Sequence, residues 1–333
     1  MKKIIVGLGL LVIVLPAVAF YLYRDLQQAM HEPLQINTPR TLMIEPGSSL
    51  SAIAQGLQRR DWIEYADYFV FYARLRGVAG AIKSGEYQIS PGMTAAALLD
   101  MLVAGQVVQH SLTLIEGWTF QEIMQALRQQ PAIRQTLASA EPRAVMAAIG
   151  KPGYFAEGRF YPDTYYFPTG ATDIEFLSRA NDRLQDILQE EWQRRADDLP
   201  YSSAYEALIV ASIIEKETAV AAERTAIAGV FVRRLQKGMR LQTDPTVIYA
   251  LGMAFDGDLK YRDMAFDSPY NTYVHAGLPP TPIAAAGRES IRAALHPAPG
   301  EALYFVARGD GSHQFSATLQ EHNVAVKKYQ TRK

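Results

Sequence analysis

Eight consecutive residues, 207–214, are apolar except for Ser212, and two acids, Glu215 and Glu217, follow almost directly. A helix this apolar belongs in the core of a domain. At its end, desolvation disfavours the ionised form of a carboxyl group. A carboxyl group that stays partly neutral near pH 7 is suited to general acid catalysis. The alternative is that both acids lie on the solvated side, where the segment leaves the core.

Composition limits the classes of function. The chain has 333 residues, enough for two domains, and a net charge of −1 without a basic run, so we expect no nucleic-acid partner. The absence of cysteine excludes disulfides and Cys-ligated zinc. The six histidines show no metal-ligand spacing, and neither a serine-nucleophile motif nor a glycine-rich phosphate loop occurs. We therefore expect no metal and no cofactor.

The N-terminus reads as a membrane anchor. Two lysines precede an apolar run from Ile4 to Tyr23, which is long enough to span a bilayer. The lysines predict that residues 1–3 are cytoplasmic and that the body of the protein lies outside the cytoplasm. The alternative is a signal peptide cleaved after Ala17-Val18-Ala19. Residues 24–40, polar in their second half, are expected to form a linker.

A pattern recurs three times in residues 41–130, which we interpret as a small α/β module. Each copy combines a short strand, a glycine-containing turn, a Ser or Thr able to cap, and an amphipathic helix. The copies start at Ile44, Ile89 and Ile115. The pattern resembles LysM glycan-binding modules, and the alternative is an ordinary scaffold repeat.

Residues 131–333 are expected to form a second domain. Its signals are an aromatic segment at 157–168, a long amphipathic helix at 173–195, the apolar helix, and a C-terminal hairpin around Gly309-Asp310-Gly311. Regular βαβ alternation is missing. The predicted fold class is therefore α+β: an N-terminal transmembrane helix, a LysM-like α/β module and a mixed α+β catalytic domain.

The two acids face different ways if the segment is helical. Glu215 lies on the face of Leu208 and Ala211, whereas Glu217 is about 200° further round. They cannot flank one glycosidic bond, although a hydrolase usually needs two carboxylates about 5–10 Å apart. Glu223 or Asp244 could supply the second through the fold. A mechanism with one carboxylate would need a nucleophile within the substrate.

Several motifs, in order along the chain, resemble the YceG-like family of bacterial endolytic murein transglycosylases. They are Glu157-Gly158, Pro162-Asp163-Thr164-Tyr165, the runs 211–218 and 241–249, Tyr270-Asn271-Thr272-Tyr273, Gly277-Leu278-Pro279-Pro280 and Glu321-His322-Asn323. One departure is Thr281-Pro282, where a smaller residue is expected after the proline pair. The resemblance covers essentially the whole chain.

The resemblance implies a lyase that cuts the MurNAc–GlcNAc bond of nascent glycan strands without water and leaves a 1,6-anhydro-MurNAc end. One glutamate acts as both acid and base, because the sugar's own 6-hydroxyl is the nucleophile. Its place in the motif maps to Glu215, with Glu217 as the second candidate. A non-catalytic peptidoglycan-binding scaffold and a hydrolytic muramidase remain alternatives.

Further expectations concern substrate and partners. The candidate sugar-binding residues are Gln242, Tyr249, Asn271, Asp163 and Tyr165. The resemblance implies peptidoglycan strands as substrate and a membrane-bound synthase, a penicillin-binding protein, as a candidate partner. With the anchor, it implies a single-pass protein of the bacterial inner membrane, whose catalytic domain lies in the periplasm and acts in cell wall assembly.

Overall fold

The structure is a computed structural model that describes the backbone of residues 2–330 and the side chains of residues 14–330. It confirms a mixed α+β fold. Within these residues, the helices are α1 (Lys2–His31), α2 (Leu50–Gln58), α3 (Ala66–Leu75), α4 (Ala95–Ala104), α5 (Phe120–Gln129), α6 (Pro142–Ala148), α7 (Asp173–Gln193), α8 (Ala204–Glu217), α9 (Arg224–Gln236), α10 (Asp244–Leu251), α11 (Arg288–Leu295) and α12 (Leu319–Tyr329). The strands form two-stranded pairs, β1 (Arg40–Ile44) with β2 (Gly85–Ile89), β3 (Gln109–Thr113) with β4 (Thr164–Pro168), and β5 (Tyr304–Ala307) with β6 (His313–Ser316).

The chain divides into two compact units. Unit 1 comprises residues 1–110 and 166–170, and unit 2 comprises residues 111–165 and 171–333. In unit 1, β1 and β2 pair antiparallel with Leu42 opposite Tyr87. Alternate residues of both strands point into the core, as the two-residue period of a strand requires. Helices α2, α3 and α4 cover this face, and Tyr87 is fully buried between them.

The three predicted strand–turn–helix copies are present. Ser49, Thr94 and Thr119 cap α2, α4 and α5, and each side chain accepts a hydrogen bond from a backbone N–H in the first helical turn. Such caps satisfy donors that a helix start leaves unpaired. The first two copies lie in unit 1, whereas the helix of the third, α5, lies in unit 2.

Unit 2 is built around α8, which is the predicted apolar helix. Ser203 caps its start, and Thr218 ends it. Helices α7, α9, α10 and α11 pack against it, and residues 207–214 are all buried. A helix enclosed on all sides has little freedom to move, so the residues of its last turn are held in fixed positions.

Two helix bounds concern segments that the sequence analysis named. Helix α10 begins at Asp244, within the motif 241–249, and Pro245 is compatible with its first turn. Helix α1 continues through His31, so the first part of the predicted linker 24–40 is helical. The C-terminal hairpin is as predicted, with Phe305 opposite Phe315.

The first half of the predicted anchor, residues 4–13 of 4–23, lies outside the described side chains, which start at residue 14. Over the part that the structure does describe, no helix has the length and apolar character that spanning a membrane requires.

Core packing of unit 1 predicts a large effect of truncation. Leu98 on α4 is 0% exposed, whereas Leu75 on α3 is 58% exposed. We expect Leu98→Ala to lower the free energy of unfolding by about 2–5 kcal/mol through lost burial and a cavity. The matched change Leu75→Ala should cost less than about 0.5 kcal/mol. Urea denaturation measures both, and equal effects would contradict the packing described.

Candidate active site

The last turn of α8 carries two carboxyl groups with separate surroundings. The side chain of Glu215 contacts Gly287 and Arg224. The side chain of Glu217 contacts Thr243 and lines a cleft. The helical period predicted this divergence, because residues two apart lie on different sides of a helix.

Glu217 is held by the loop that leads into α10. The hydroxyl of Thr243 donates a hydrogen bond to its Oε1. Burial raises the pKa of Glu217 to about 7 and outweighs that hydrogen bond, which lowers it; the nearby charge of Asp244 adds to the rise. The carboxyl group is therefore protonated in a large fraction of molecules at neutral pH, as a general acid must be.

The cleft beside Glu217 has a volume of about 530 Å³. Within unit 2, polar and aromatic side chains share its lining: Glu217, Arg234, Gln242, Asp244, Tyr273, Tyr304, His313 and His322. The hydroxyl of Tyr273 donates to Asp244 Oδ1 at 2.6 Å. Aromatic faces with hydrogen-bonding groups at their edges suit sugar rings, which present apolar faces and equatorial hydroxyls.

A threonine network fixes the loop that carries Gln242 and Thr243. The backbone N–H of Thr243 donates to Thr272 Oγ1 at 3.1 Å, and the hydroxyl of Thr246 donates to the carbonyl of Thr243 at 2.7 Å. Gln242 adopts a φ of 50°, in the left-handed region that non-glycine residues seldom use. Such a conformation at a site wall persists only where neighbouring bonds hold it.

Arg234 and His322 form the far wall of the cleft. The Arg234 guanidinium lies 5.1 Å from the ring centre of Tyr304 and donates to the carbonyl of Leu241 at 2.6 Å. The His322 ring stacks on Tyr304 at 5.2 Å between centroids. Burial, and then the charge of Arg234, lowers the pKa of His322.

Glu215 is a partnered carboxylate. Its side chain is 6% exposed, the backbone N–H of Gly287 donates to Oε2 at 2.9 Å, and Arg224 Nη2 lies 3.7 Å from Oε1. Glu116 approaches the same place, because a Cβ on Gly287 would collide with its carboxyl group. Burial and then the charge of Glu215 raise the pKa of Glu116.

A third carboxyl group, Glu157, joins three segments of unit 2. The backbone N–H groups of Phe120 and Gly158 donate to Oε1 at 2.9 and 3.2 Å, and the hydroxyl of Tyr249 donates to Oε2 at 3.0 Å. Burial raises the pKa of Glu157 to about 7 despite these bonds. Tyr249 belongs to α10, so Glu157 ties that helix to the start of α5.

Of the predicted sugar-binding residues, Gln242 lines the cleft with Glu217 and the other four do not. Tyr249 bonds to Glu157, and Asn271 is fully buried, where its amide donates to the carbonyls of Met264 and Phe266. The hydroxyl of Tyr165 donates to the carbonyl of Tyr161 at 2.7 Å. Asp163 is exposed, and its Oδ2 lies 4.0 Å from Arg183 Nε. As sugar contacts, these four stay predictions.

Sequence reasoning left out several residues of the cleft wall. Asp244 was considered only as a possible second carboxylate, and His322 only as part of a family motif. Tyr273 and Tyr304 were not singled out as site residues. Three of these four lie within motifs that carried the family resemblance: Asp244 in 241–249, Tyr273 in 270–273 and His322 in 321–323. Membership of such a motif is the signal that could have selected them.

Comparisons with known proteins identify the family of this chain. The YceG-like family profile matches residues 42–328. The chain belongs to the YceG-like family. The endolytic murein transglycosylase of Bacillus subtilis strain 168 is 34% identical over 321 residues, which cover 91% of this chain and 88% of that protein. The protein of the same name from Streptococcus pneumoniae D39 is 26% identical over 88% of this chain and 59% of its own length.

A solved structure matches as well. The 2.6 Å crystal structure of a YceG-like protein from Listeria monocytogenes superposes with a TM-score of 0.54 at 32% identity, and the match covers 87% of this chain and 99% of that chain. The family membership thus rests on both sequence and fold.

The raised pKa values of Glu157 and Glu217 predict a pH-dependent stability. Their folded values are about 7, against an ordinary 4.5, so each group favours folding fully below about pH 4.5 and loses that contribution as the pH rises through 7. We expect Glu217→Gln and Glu157→Gln each to lessen the fall in the free energy of unfolding between about pH 5 and pH 8, by up to about 3 kcal/mol.

Urea denaturation across this pH range measures the effect. The exposed change Glu301→Gln serves as the control and should leave the curve parallel to that of the unmodified protein. A Glu217→Gln curve that also runs parallel would contradict the raised pKa.

Proposed function

We propose that this protein is an endolytic murein transglycosylase that cuts the MurNAc–GlcNAc bond within glycan strands and leaves a 1,6-anhydro-MurNAc end. Membership of the YceG-like family and the shared name of the curated relatives support this function. The observation that carries it is the enclosed carboxyl group of Glu217, with a pKa of about 7, at a cleft of sugar-binding character.

The geometry favours Glu217 over Glu215 as the acid–base residue. A general acid must hold a proton at working pH and reach its substrate. Glu217 meets both conditions, whereas Glu215 accepts a backbone hydrogen bond and pairs with Arg224. We therefore assign the catalytic role to Glu217, the second candidate of the sequence analysis, and a structural role to Glu215.

One carboxyl group is enough for the proposed reaction. Glu217 donates its proton to the glycosidic oxygen as the bond to the anomeric carbon breaks, and the GlcNAc hydroxyl leaves. The carboxylate then takes the proton of the MurNAc 6-hydroxyl while that oxygen bonds to the anomeric carbon. The enzyme regains its proton and no water is consumed. The hydroxyl of Thr243 bonds to the carboxylate and stabilises it between the two steps.

Other parts of the proposal concern substrate binding and location. Gln242, Asp244 and Tyr273 are proposed to contact the sugar, because they line the cleft next to Glu217. The first two strand–turn–helix copies are proposed to act as a LysM-like strand-binding module. Residues 4–23 are proposed to anchor the protein in the inner membrane, with a penicillin-binding protein as partner and the cleft in the periplasm.

Conservative substitutions distinguish the two glutamates. We expect Glu217→Gln to lower the rate of strand cleavage by about 10²–10⁴-fold, because an amide cannot donate the required proton. Glu215→Gln keeps an acceptor for the Gly287 N–H and should stay within about tenfold of the unmodified rate. Mass analysis of glycan ends after digestion of peptidoglycan measures both.

The same digestion tests the reaction class. The expected products carry 1,6-anhydro-MurNAc ends and contain no solvent oxygen. Reducing MurNAc ends labelled from H₂¹⁸O would show a muramidase instead, and binding without cleavage would show a scaffold. If Glu215→Gln loses activity while Glu217→Gln keeps it, the catalytic assignment is reversed.

The pKa of Glu217 also predicts a pH profile. The reacting form of the free enzyme is protonated at Glu217, so kcat/KM should fall as the pH rises above about 7. Glu157→Gln is the matched control, since it removes the other carboxyl group of similar pKa. The fall should persist in that variant, and its disappearance there would assign the titration to Glu157.

A further inference from the structure

An apolar groove lies between α1 and α3 in unit 1. It has a volume of about 550 Å³, and its lining includes Ala19, Leu22 and Tyr23 from α1 and Phe71 and Leu75 from α3. Phe71 and Leu75 are each 58% exposed, and Leu22 and Tyr23 are 55% and 53% exposed. One acidic residue, Asp67, also lines the groove, which is otherwise predominantly apolar. An exposed apolar face of this kind marks a site where a protein or a membrane binds.

The side chains of α3 that line the groove do not contribute to the core of unit 1. Helix α3 already buries Phe69, Tyr72 and Ala73 in the core. Phe71 and Leu75 lie one turn apart on the outward side, so the helix is apolar on two sides. Leaving both side chains in water forgoes the free energy of their burial.

The position of the groove along α1 indicates what covers it. The proposed anchor ends at Tyr23. Ala19, Leu22 and Tyr23 would therefore form its final turns, at the periplasmic surface of the inner membrane. Phe71 and Leu75 line the same groove as these residues. The hydroxyl of Tyr68 donates to Asp25 Oδ2 at 2.6 Å and fixes α3 to α1 just beyond this level.

We propose that the outward face of α3, formed by Phe71 and Leu75, lies in the headgroup layer of the outer leaflet and binds lipid together with Leu22 and Tyr23. The inference rests on the proposed anchor and adds a second membrane contact to it. Such a contact fixes the orientation of unit 1 at the membrane, which a single helix followed by a flexible linker would not do.

The flanking side chains suit an interface of this type. Arg24 and Arg74 are exposed beside the groove and can reach lipid phosphates, while their stems cover apolar surface. Phe20, Tyr21 and Tyr65 are also exposed, and aromatic rings are enriched at the level of the headgroups. A protein partner or a second copy would have no need of this match to membrane depth.

Single cysteines test the proposal directly, because the chain contains none. The full chain, carrying Phe71→Cys or Leu75→Cys labelled with the fluorophore NBD, is reconstituted in vesicles of phosphatidylethanolamine and phosphatidylglycerol. Gln55→Cys, on the exposed side of α2, is the control. We expect lipids with a shallow nitroxide to quench positions 71 and 75 at least about twofold more than position 55, and aqueous iodide to quench them less.

Equal iodide quenching at positions 71, 75 and 55, with no lipid quenching, would overturn the proposal. Labels shielded from both quenchers, and released when the protein is diluted into excess lipid, would show a second copy on this face and overturn it too. Flotation of the same vesicles separates the two hypotheses. A chain that does not float contradicts the anchor, whereas a chain that floats with position 71 in water contradicts the α3 contact alone.

Discussion

The hydrogen bond from Thr243 to Glu217 connects the apolar helix α8 to the cleft. Helix α8 is enclosed by four other helices, so its last turn has a fixed position. Thr243 comes from the loop before α10, which the threonine network holds in place. The carboxyl group is therefore fixed from both sides while burial keeps much of it protonated. Fixed geometry and a proton near neutral pH are the two requirements of general acid catalysis, and both follow from how α8 is packed.

The two glutamates at the end of α8 make different contacts. Glu215 meets Arg224 and the N–H of Gly287, which hold the loop before α11 against α8. Glu217 meets a hydroxyl and a cleft. A partnered carboxylate strengthens the packing of neighbouring segments, because removing either partner would leave a buried charge. At Glu217, burial instead raises the pKa to about 7. The same residue type thus holds two segments together on one side of the helix and lines the cleft on the other.

Much of this organisation was predictable from sequence. Capping residues and apolar periodicity located the repeated helices, as Ser49, Thr94 and Thr119 show, and the apolar run located α8. The helical period also separated Glu215 from Glu217. It could not say which of them faces the cleft, because that depends on where Thr243 and Gly287 lie, 26 and 72 residues away. Residue type alone suggested Asn271 as a sugar ligand, and it could not reveal that its amide donates to the carbonyls of Met264 and Phe266.

Glu157 is a second buried carboxyl group whose ionisation lowers the stability of the fold. Its carboxyl group bonds to Tyr249 on α10, the helix whose first turn follows Thr243. It also accepts the N–H of Phe120 at the start of α5, where a negative charge is favoured by the helix dipole. Burial still raises the pKa of Glu157 to about 7, so the ionised form of this carboxyl group, which holds α10 through Tyr249, is unfavourable. Two enclosed carboxyl groups, one at each end of α10, therefore make the fold less stable as the pH rises. A protein keeps such groups only where their positions are needed. Glu217 is needed for the proposed proton transfer, and Glu157 holds the helix that follows Thr243.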